Sequence, residues 1–181
     1  DKDILEKIRL DMKSERELEF IDYSHKHDFG YTYRNQYRLL LFSTHICQSL
    51  KFLGMVPNKS LVLEFPDIDP KFYPHFIRGY FDGDGSFCPH YSKTGKFQPL
   101  ITFTSTNNFC IKLQEILINE LGIAGGNIYD ASCHNGITKV LSISGAIQTK
   151  KILDWIYTDT DMYLERKYIK YREAFDNYMA A

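Results

Sequence analysis

The chain has 181 residues, 44% hydrophobic and 25% charged, with 22 Lys+Arg against 23 Asp+Glu, as expected for a soluble globular protein of one domain or two small halves. Thirteen Tyr and thirteen Phe argue against disorder, no apolar run approaches the roughly 18 residues of a membrane span, and the acidic start is no signal peptide. A net charge of −1 excludes a uniformly basic nucleic-acid binder, and four cysteines without a C-x-x-C pair exclude a sequence-evident zinc ribbon and give no disulfide framework, so an intracellular compartment (cytoplasm or organelle) is expected.

In chain order, Leu5, Ile8 and Met12 share one face of an opening helix over residues 3–12. Residues 18–23 read as a strand, 24–30 as a loop and 37–43 as a second strand. Thr44 caps a helix that runs to Phe52 and is closed by Gly54. A turn at Pro57-Asn58-Lys59-Ser60 leads into a short extended piece over residues 61–63. Asp69 then Pro70 supply an N-cap and a first helical position for a helix to about Asp82. Pro74 lies in its first turns or shifts its start. Residues 85–91 and 97–105 form a hairpin across Ser92-Lys93-Thr94-Gly95-Lys96. Asn107 or Asn108 opens a helix with apolar Ile111, Leu113, Ile116 and Leu117, ended at Gly122. Residues 127–132 and 137–144 form a second hairpin around His134-Asn135-Gly136, followed by helices over 146–157 and 162–178.

This order repeats. Helix, hairpin and helix in residues 1–54 match the same three elements in 107–157, and residues 38–43 align with 139–144 at an offset of 101. The second copy also has a helix and hairpin in front, over residues 70–105, that the first lacks; the missing piece is expected before Asp1.

Charge is segregated. Residues 1–28 hold nine acids and six bases, whereas residues 29–63 and 85–114 hold no acid. Two such stretches fit surfaces facing a polyanion, with the acids kept opposite; the plainer account is that strands carry few acids.

The most informative window is Phe76-Ile77-Arg78-Gly79-Tyr80-Phe81-Asp82-Gly83-Asp84-Gly85-Ser86-Phe87. Gly79 and Gly83, four apart, share one helix face, and each costs roughly 1 kcal/mol relative to Ala in a helix interior. That pattern fits close backbone contact with another element, although Gly83 alone is also explained as a C-cap. Asp82 and Asp84 stand near the helix end, against the negative pole of the macrodipole. A divalent cation with hard oxygen ligands, Mg²⁺ or Ca²⁺, relieves that penalty. An EF-hand does not fit, because its glycine position falls on Phe87 and its glutamate position on Lys93.

Ile77-Arg78-Gly79-Tyr80-Phe81-Asp82-Gly83-Asp84-Gly85 resembles the nine-residue signature of the LAGLIDADG homing endonucleases. The order of elements after it, the turn at 57–60 and the closing Tyr163-Leu164-Glu165-Arg166-Lys167-Tyr168 are similar too. The resemblance implies an α+β, homing endonuclease-like fold: a truncated first half over residues 1–66 and a complete second half over 67–181, with antiparallel saddle sheets that grip double-stranded DNA. It implies Mg²⁺-dependent, site-specific cleavage of that DNA, with Ca²⁺ as a non-cleaving substitute. Two signature helices pair at the centre of such molecules, so Gly79 and Gly83 become the helix-interface positions. Asp84, with the Gly83 carbonyl, becomes the metal ligand, and Asp82 belongs to the interface or its capping network.

The DNA contacts implied are Tyr91, Lys93, Lys96, Gln98 and Thr102 in the first hairpin, His134, Asn135 and Lys139 in the second, and Arg34, Gln36 and Arg38 in the incomplete half. Thr104 stands where the family often has a water-positioning glutamine. Lys139 is the nearest cation to a lysine position that itself falls near Ile143. Arg78 replaces a small interface residue, and its guanidinium must reach solvent or a carboxylate. No first signature motif is present, which leaves three readings: a piece of a two-motif protein, a chain that pairs with a second copy, or a relative that keeps only DNA contact or the fold. The rival functions are a non-cleaving DNA-binding module, such as a regulator or splicing helper, and a structural domain.

Overall fold

The alternating pattern of residues 100–105 and 139–144 builds the centre of the molecule. A computed structural model describes residues 1–23, 27–28, 31–56, 62–131 and 138–180. The elements are α1 (Lys2–Asp11), β1 (Glu19–Ile21), β2 (His27–Asp28), β3 (Tyr31–Thr32), β4 (Gln36–Arg38), α2 (Thr44–Phe52), a 3₁₀ turn (Pro70–Phe72), α3 (Tyr73–Asp84), β5 (Ser86–Cys88), β6 (Leu100–Ser105), α4 (Asn107–Leu121), β7 (Asn127–Asp130), β8 (Lys139–Ser144), α5 (Ala146–Tyr157) and α6 (Glu165–Ala180). Strands β5-β6-β8-β7 form one antiparallel sheet, with Ile101 opposite Ile143 and Phe103 opposite Leu141. These four side chains are fully buried, as are Phe81 of α3, Phe109 and Leu117 of α4, and Ile152, Leu153 and Ile156 of α5. Helices α3, α4 and α5 therefore cover one face of the sheet, and period-2 alternation leaves the other face open.

The N-terminal elements are organised differently. Among the described residues of 1–62 none is buried, and Phe42 and Phe52 are 78% and 91% exposed. Strands β1 and β4 pair through three residues each, and β2 with β3 through two. Helix α1 lies against β4, with the Lys2 ammonium 5.3 Å from the Tyr37 ring. Across the chain, Arg166 of α6 pairs with Asp1 (3.2 Å).

Several boundaries differ from expectation. The strand expected over 37–43 ends at Arg38, because β1 offers only Glu19, Phe20 and Ile21 as partners and the apolar run after Arg38 does not alternate. The repeat alignment thus meets a strand only at its first residue. Residues 27–28, expected in a loop, pair with 31–32, and the rest of that loop lies outside the described residues, as does the turn at 57–60. Ser43, not Thr44, caps α2, its Oγ accepting from Ile46 N (3.2 Å). Asp69 caps the 3₁₀ turn, and the α-helix proper starts at Tyr73 with Pro74 in its first turn, where a missing N–H costs nothing. That helix runs two residues past Asp82, so Gly83 is helical and Gly85 takes the C-cap position.

Candidate functional site

Helix α3 ends against α6, and the polar groups of its last two turns sort into buried and free. Asp82, two residues before the end, is half-buried. Its carboxylate accepts from Tyr157 Oη (2.7 Å) and from Leu164 N (2.9 Å). Burial pushes its pKa up, against the pull of Leu164 N–H, Tyr157, Lys167 and Arg78. Burial, then the neighbouring Asp82, raises the Tyr157 phenol as well. Lys167 of α6 donates to the carbonyls of Phe81 and Gly85, 2.6 Å each. Its pKa is lowered by burial first and then by Arg166, with Asp82 and Asp84 opposing. A cation on the last carbonyls of a helix is the favourable end of the macrodipole. Asp84, the last helical residue, is exposed, and so is Gly83. Of the two aspartates, then, Asp82 is used in capping and Asp84 faces solvent.

Arg78 takes neither expected route. It is only 6% exposed, and it donates to the carbonyls of Met162 (2.7 Å) and Ile156 (3.0 Å), closing the C-terminal end of α5. Burial lowers its pKa, opposed by Asp82. Its guanidinium is turned into the protein, while the residue still borders the cavity lined by Gly79 and Gly83.

That glycine face is open. A Cβ on Gly79 or on Gly83 meets nothing within 4 Å among the described residues. Two cavities flank the pair. One of about 420 Å³ is lined by α1 residues Ile4, Leu5 and Ile8 together with Gly79, Asp82 and Gly83. The other, of about 340 Å³, is lined by Met55, Leu63, Phe76, Gly79, Gly83 and Asp84. Gly79→Ala accordingly raises the stability of this chain by about 1 kcal/mol through helix propensity alone. Thermal unfolding of the monomer checks this, and a fall in stability would mean that Gly79 is already in close contact.

The open face of the sheet carries the second half of the site. The hairpin keeps one register from Ser86 opposite Thr102 to the Tyr91–Phe97 bridge, so even-numbered residues share the open face. Ser86, Thr102, Ser142 and Asn127 stand in one row across all four strands. Thr104, Val140 and Tyr129 form the next row. His90 and Gln98 face each other further out, joined by Gln98 N to the His90 carbonyl (2.7 Å). None of these side chains is an acid, a lysine or an arginine. Thr104 is nearest the helix end, since the Tyr80 hydroxyl, one turn before Asp84, donates to its carbonyl (2.8 Å).

Of the sequence-derived DNA contacts, Thr102 and Gln98 lie on this face, and Lys93 and Lys96 stand exposed at the hairpin tip. Among the described residues neither lysine is ion-paired. Tyr91 falls on the other side, its ring 5.0 Å from Phe97, which stacks on Tyr178 of α6. Lys139 also has the odd, helix-side parity of Leu141 and Ile143, and its ammonium is paired with Asp130. His134 and Asn135 lie outside the described residues. In the N-terminal half, Arg34 and Gln36 are exposed, while Arg38 is paired with Glu19 (2.7 Å). Ser86, His90, Asn127, Tyr129 and Ser142, which sequence reasoning did not single out, share this face, and counting by twos from Thr102 and its partners reaches them.

Asp84 and the Gly83 carbonyl are hard oxygen donors, one charged and one neutral. No group of three or more His, Cys, Asp or Glu converges among the described residues. Such a sparse set fits Mg²⁺, which keeps several waters and is held by one or two carboxylates plus phosphate oxygens.

Residues 71–156 match the family model of the LAGLIDADG-like domain. Similar solved structures include the archaeal intron-encoded homing endonuclease I-Vdi141I complexed with DNA (20% identity over 58% of this chain and 67% of that one, TM-score 0.43). Another is the homing endonuclease I-TnaI (18% identity, 57% and 69%, TM-score 0.42). A third is I-SmaMI bound to an uncleaved DNA target with calcium ions (20% identity, TM-score 0.45), where the match covers 75% of this chain and 44% of that one. No match was found among curated proteins. No helix among the described residues is long and apolar enough to cross a membrane.

Proposed function

We propose that the chain grips double-stranded DNA with the open face of its four-stranded sheet and hydrolyses a phosphodiester bond at the C-terminal end of α3. The observation that carries this reading is the neighbourhood of an exposed carboxylate, Asp84, and an open, uncharged, hydrogen-bonding sheet face. A major groove about 12 Å wide admits a two-stranded ribbon. Small polar side chains in register, such as Ser86, Thr102, Ser142 and Asn127, suit base edges, while Lys93 and Lys96 at the hairpin tip suit phosphates. Asp84 and the Gly83 carbonyl would hold Mg²⁺ at the helix end. A bound Mg²⁺ supplies charge neutralisation at the phosphoryl oxygen and a more acidic water. Thr104, at the strand end beside α3, orients the attacking water through its hydroxyl. Lys139 has no part in this reading.

Strand-by-strand cleavage needs one such carboxylate for each strand. The exposed Gly79–Gly83 face is the surface on which a second helix of the same kind packs, from another copy or from a segment before Asp1. A second reading, a DNA-binding module without cleavage, is favoured by the single free carboxylate at the helix end. The experiment is to expose a randomised duplex pool to the chain in Ca²⁺ and in Mg²⁺. Bound duplex in Ca²⁺ and cut ends in Mg²⁺ support the first reading, and bound duplex without cut ends supports the second. Absence of salt-dependent binding sinks both. Replacing Lys93 and Lys96 together by Gln is expected to reduce the slope of log Kobs against log salt by about 2, close to one unit per lost phosphate contact.

A further inference from the structure

We infer that Lys167 of α6 is a positioning residue for Asp84: it fixes the turn that presents the carboxylate. The inference rests on the reading of Asp84 and Gly83 as metal ligands. One ammonium bridges the carbonyls of Phe81 and Gly85, 2.6 Å from each, and Gly83 and Asp84 lie between these two residues. The bridge belongs to a closed circuit. Asp82 accepts from Leu164 N (2.9 Å), the Leu164 carbonyl accepts from Lys167 N (2.9 Å), and the Lys167 side chain returns to α3 on both sides of Asp84. Gly85 N donates to the Phe81 carbonyl (2.9 Å), so the turn is held from inside as well. Asp84 lies outside this circuit, its backbone held between the two tethered carbonyls and its carboxylate without a hydrogen bond among the described residues.

Charge and position act in opposite directions here, which makes the inference testable. An ammonium beside a dication repels it, so a lysine acting by charge alone weakens metal binding, and its removal strengthens it. A lysine that holds the ligand in place does the reverse, as outer-shell partners of metal ligands commonly do. Lys170, one turn along α6, is the internal comparison. It tethers the Phe87 carbonyl (2.8 Å), outside the turn that bears Asp84.

The test is a Mn²⁺ titration followed by water-proton relaxation, with amide exchange at Gly85 measured in parallel. It compares the wild type with Lys167→Met, Lys167→Arg, Lys170→Met and Asp84→Asn. Lys167→Met is expected to weaken Mn²⁺ binding about tenfold and to speed Gly85 exchange, with partial recovery in Lys167→Arg and wild-type affinity in Lys170→Met. Unchanged or tighter binding in Lys167→Met, while Asp84→Asn loses the signal, overturns the positioning role and leaves the metal reading standing. Equal weakening in Lys167→Met and Lys170→Met also overturns it, since the effect is then general loosening of α6. Wild-type Mn²⁺ behaviour in Asp84→Asn, or no binding by the wild type, overturns the metal reading and this inference with it.

Discussion

Gly85→Ala is expected to destabilise the chain by about 2–4 kcal/mol and to lower its Tm by roughly 5–15 °C at this chain length. The reason is space, not backbone freedom. Gly85 has φ −76°, which any residue adopts. A Cβ there, however, meets Phe81 Cδ2 at 2.4 Å and the Phe81 Cα and carbonyl oxygen at 2.8 Å each. Phe81 is fully buried against Phe103 and Tyr157, so its ring has nowhere to retreat. The carbonyl it meets also accepts from Gly85 N and from Lys167. Relief of the clash must therefore move backbone, either by unwinding the last turn of α3 or by pushing β5 off Thr102. Chemical denaturation gives the stability change, and Gly79→Ala, on the open side of the same helix, is the control of opposite sign. A Gly85→Ala protein as stable as the wild type would mean that the α3–β5 junction is looser than described.

That contrast shows where sequence reasoning reached and where it stopped. Gly79 and Gly83 stood out because their spacing is visible in one dimension. Among the described residues the closest approaches are instead at Gly85 and at Gly126, where a Cβ would meet the Ser142 carbonyl at 2.2 Å. Both depend on a partner far along the fold or on a turn whose tightness no spacing reports. Residues 100–157 were legible to within a few residues, because β6, α4, β8 and α5 each bury a regular stripe and α4 carries strong caps, Thr106 and left-handed Gly122. The first half was less so. Residues 39–43 are apolar enough for a strand but have no strand beside them, and pairing, not propensity, decides. Parity was the main loss in the site. Tyr91 and Lys139 are plausible DNA contacts by type, yet each has the parity of the buried, helix-facing residues of its own strand. Arg78 was expected to seek a carboxylate or solvent, but two backbone carbonyls served it, a solution that needs the end of α5 to arrive beside α3.

Asp84→Asn is expected to abolish DNA cleavage, a loss of at least about a thousandfold, while leaving both folding and DNA affinity in Ca²⁺ within about twofold. Asn keeps the size of the side chain and one oxygen but removes the negative charge that holds a dication against a phosphate. The structure gives no reason for the fold to notice. Asp84 is exposed, and among the described residues its carboxylate makes no hydrogen bond or ion pair. Its negative charge at a helix C-terminus costs a few tenths of a kcal/mol, which Asn relieves while giving up an attraction to Lys167 of the opposite sign. Asp82→Asn is the necessary companion, because a family signature with two aspartates invites the wrong assignment. Asp82 receives Tyr157 and Leu164 and answers Arg78 and Lys167. Its replacement loosens the junction of α3 with α6, so its effect on cutting is expected to scale with its effect on stability. Cleavage measured alongside urea unfolding separates the two: activity lost without stability in Asp84→Asn marks a ligand, and activity lost with stability in Asp82→Asn marks a brace. Full cutting by Asp84→Asn would remove Asp84 from the chemistry and require that another group of the chain hold the metal.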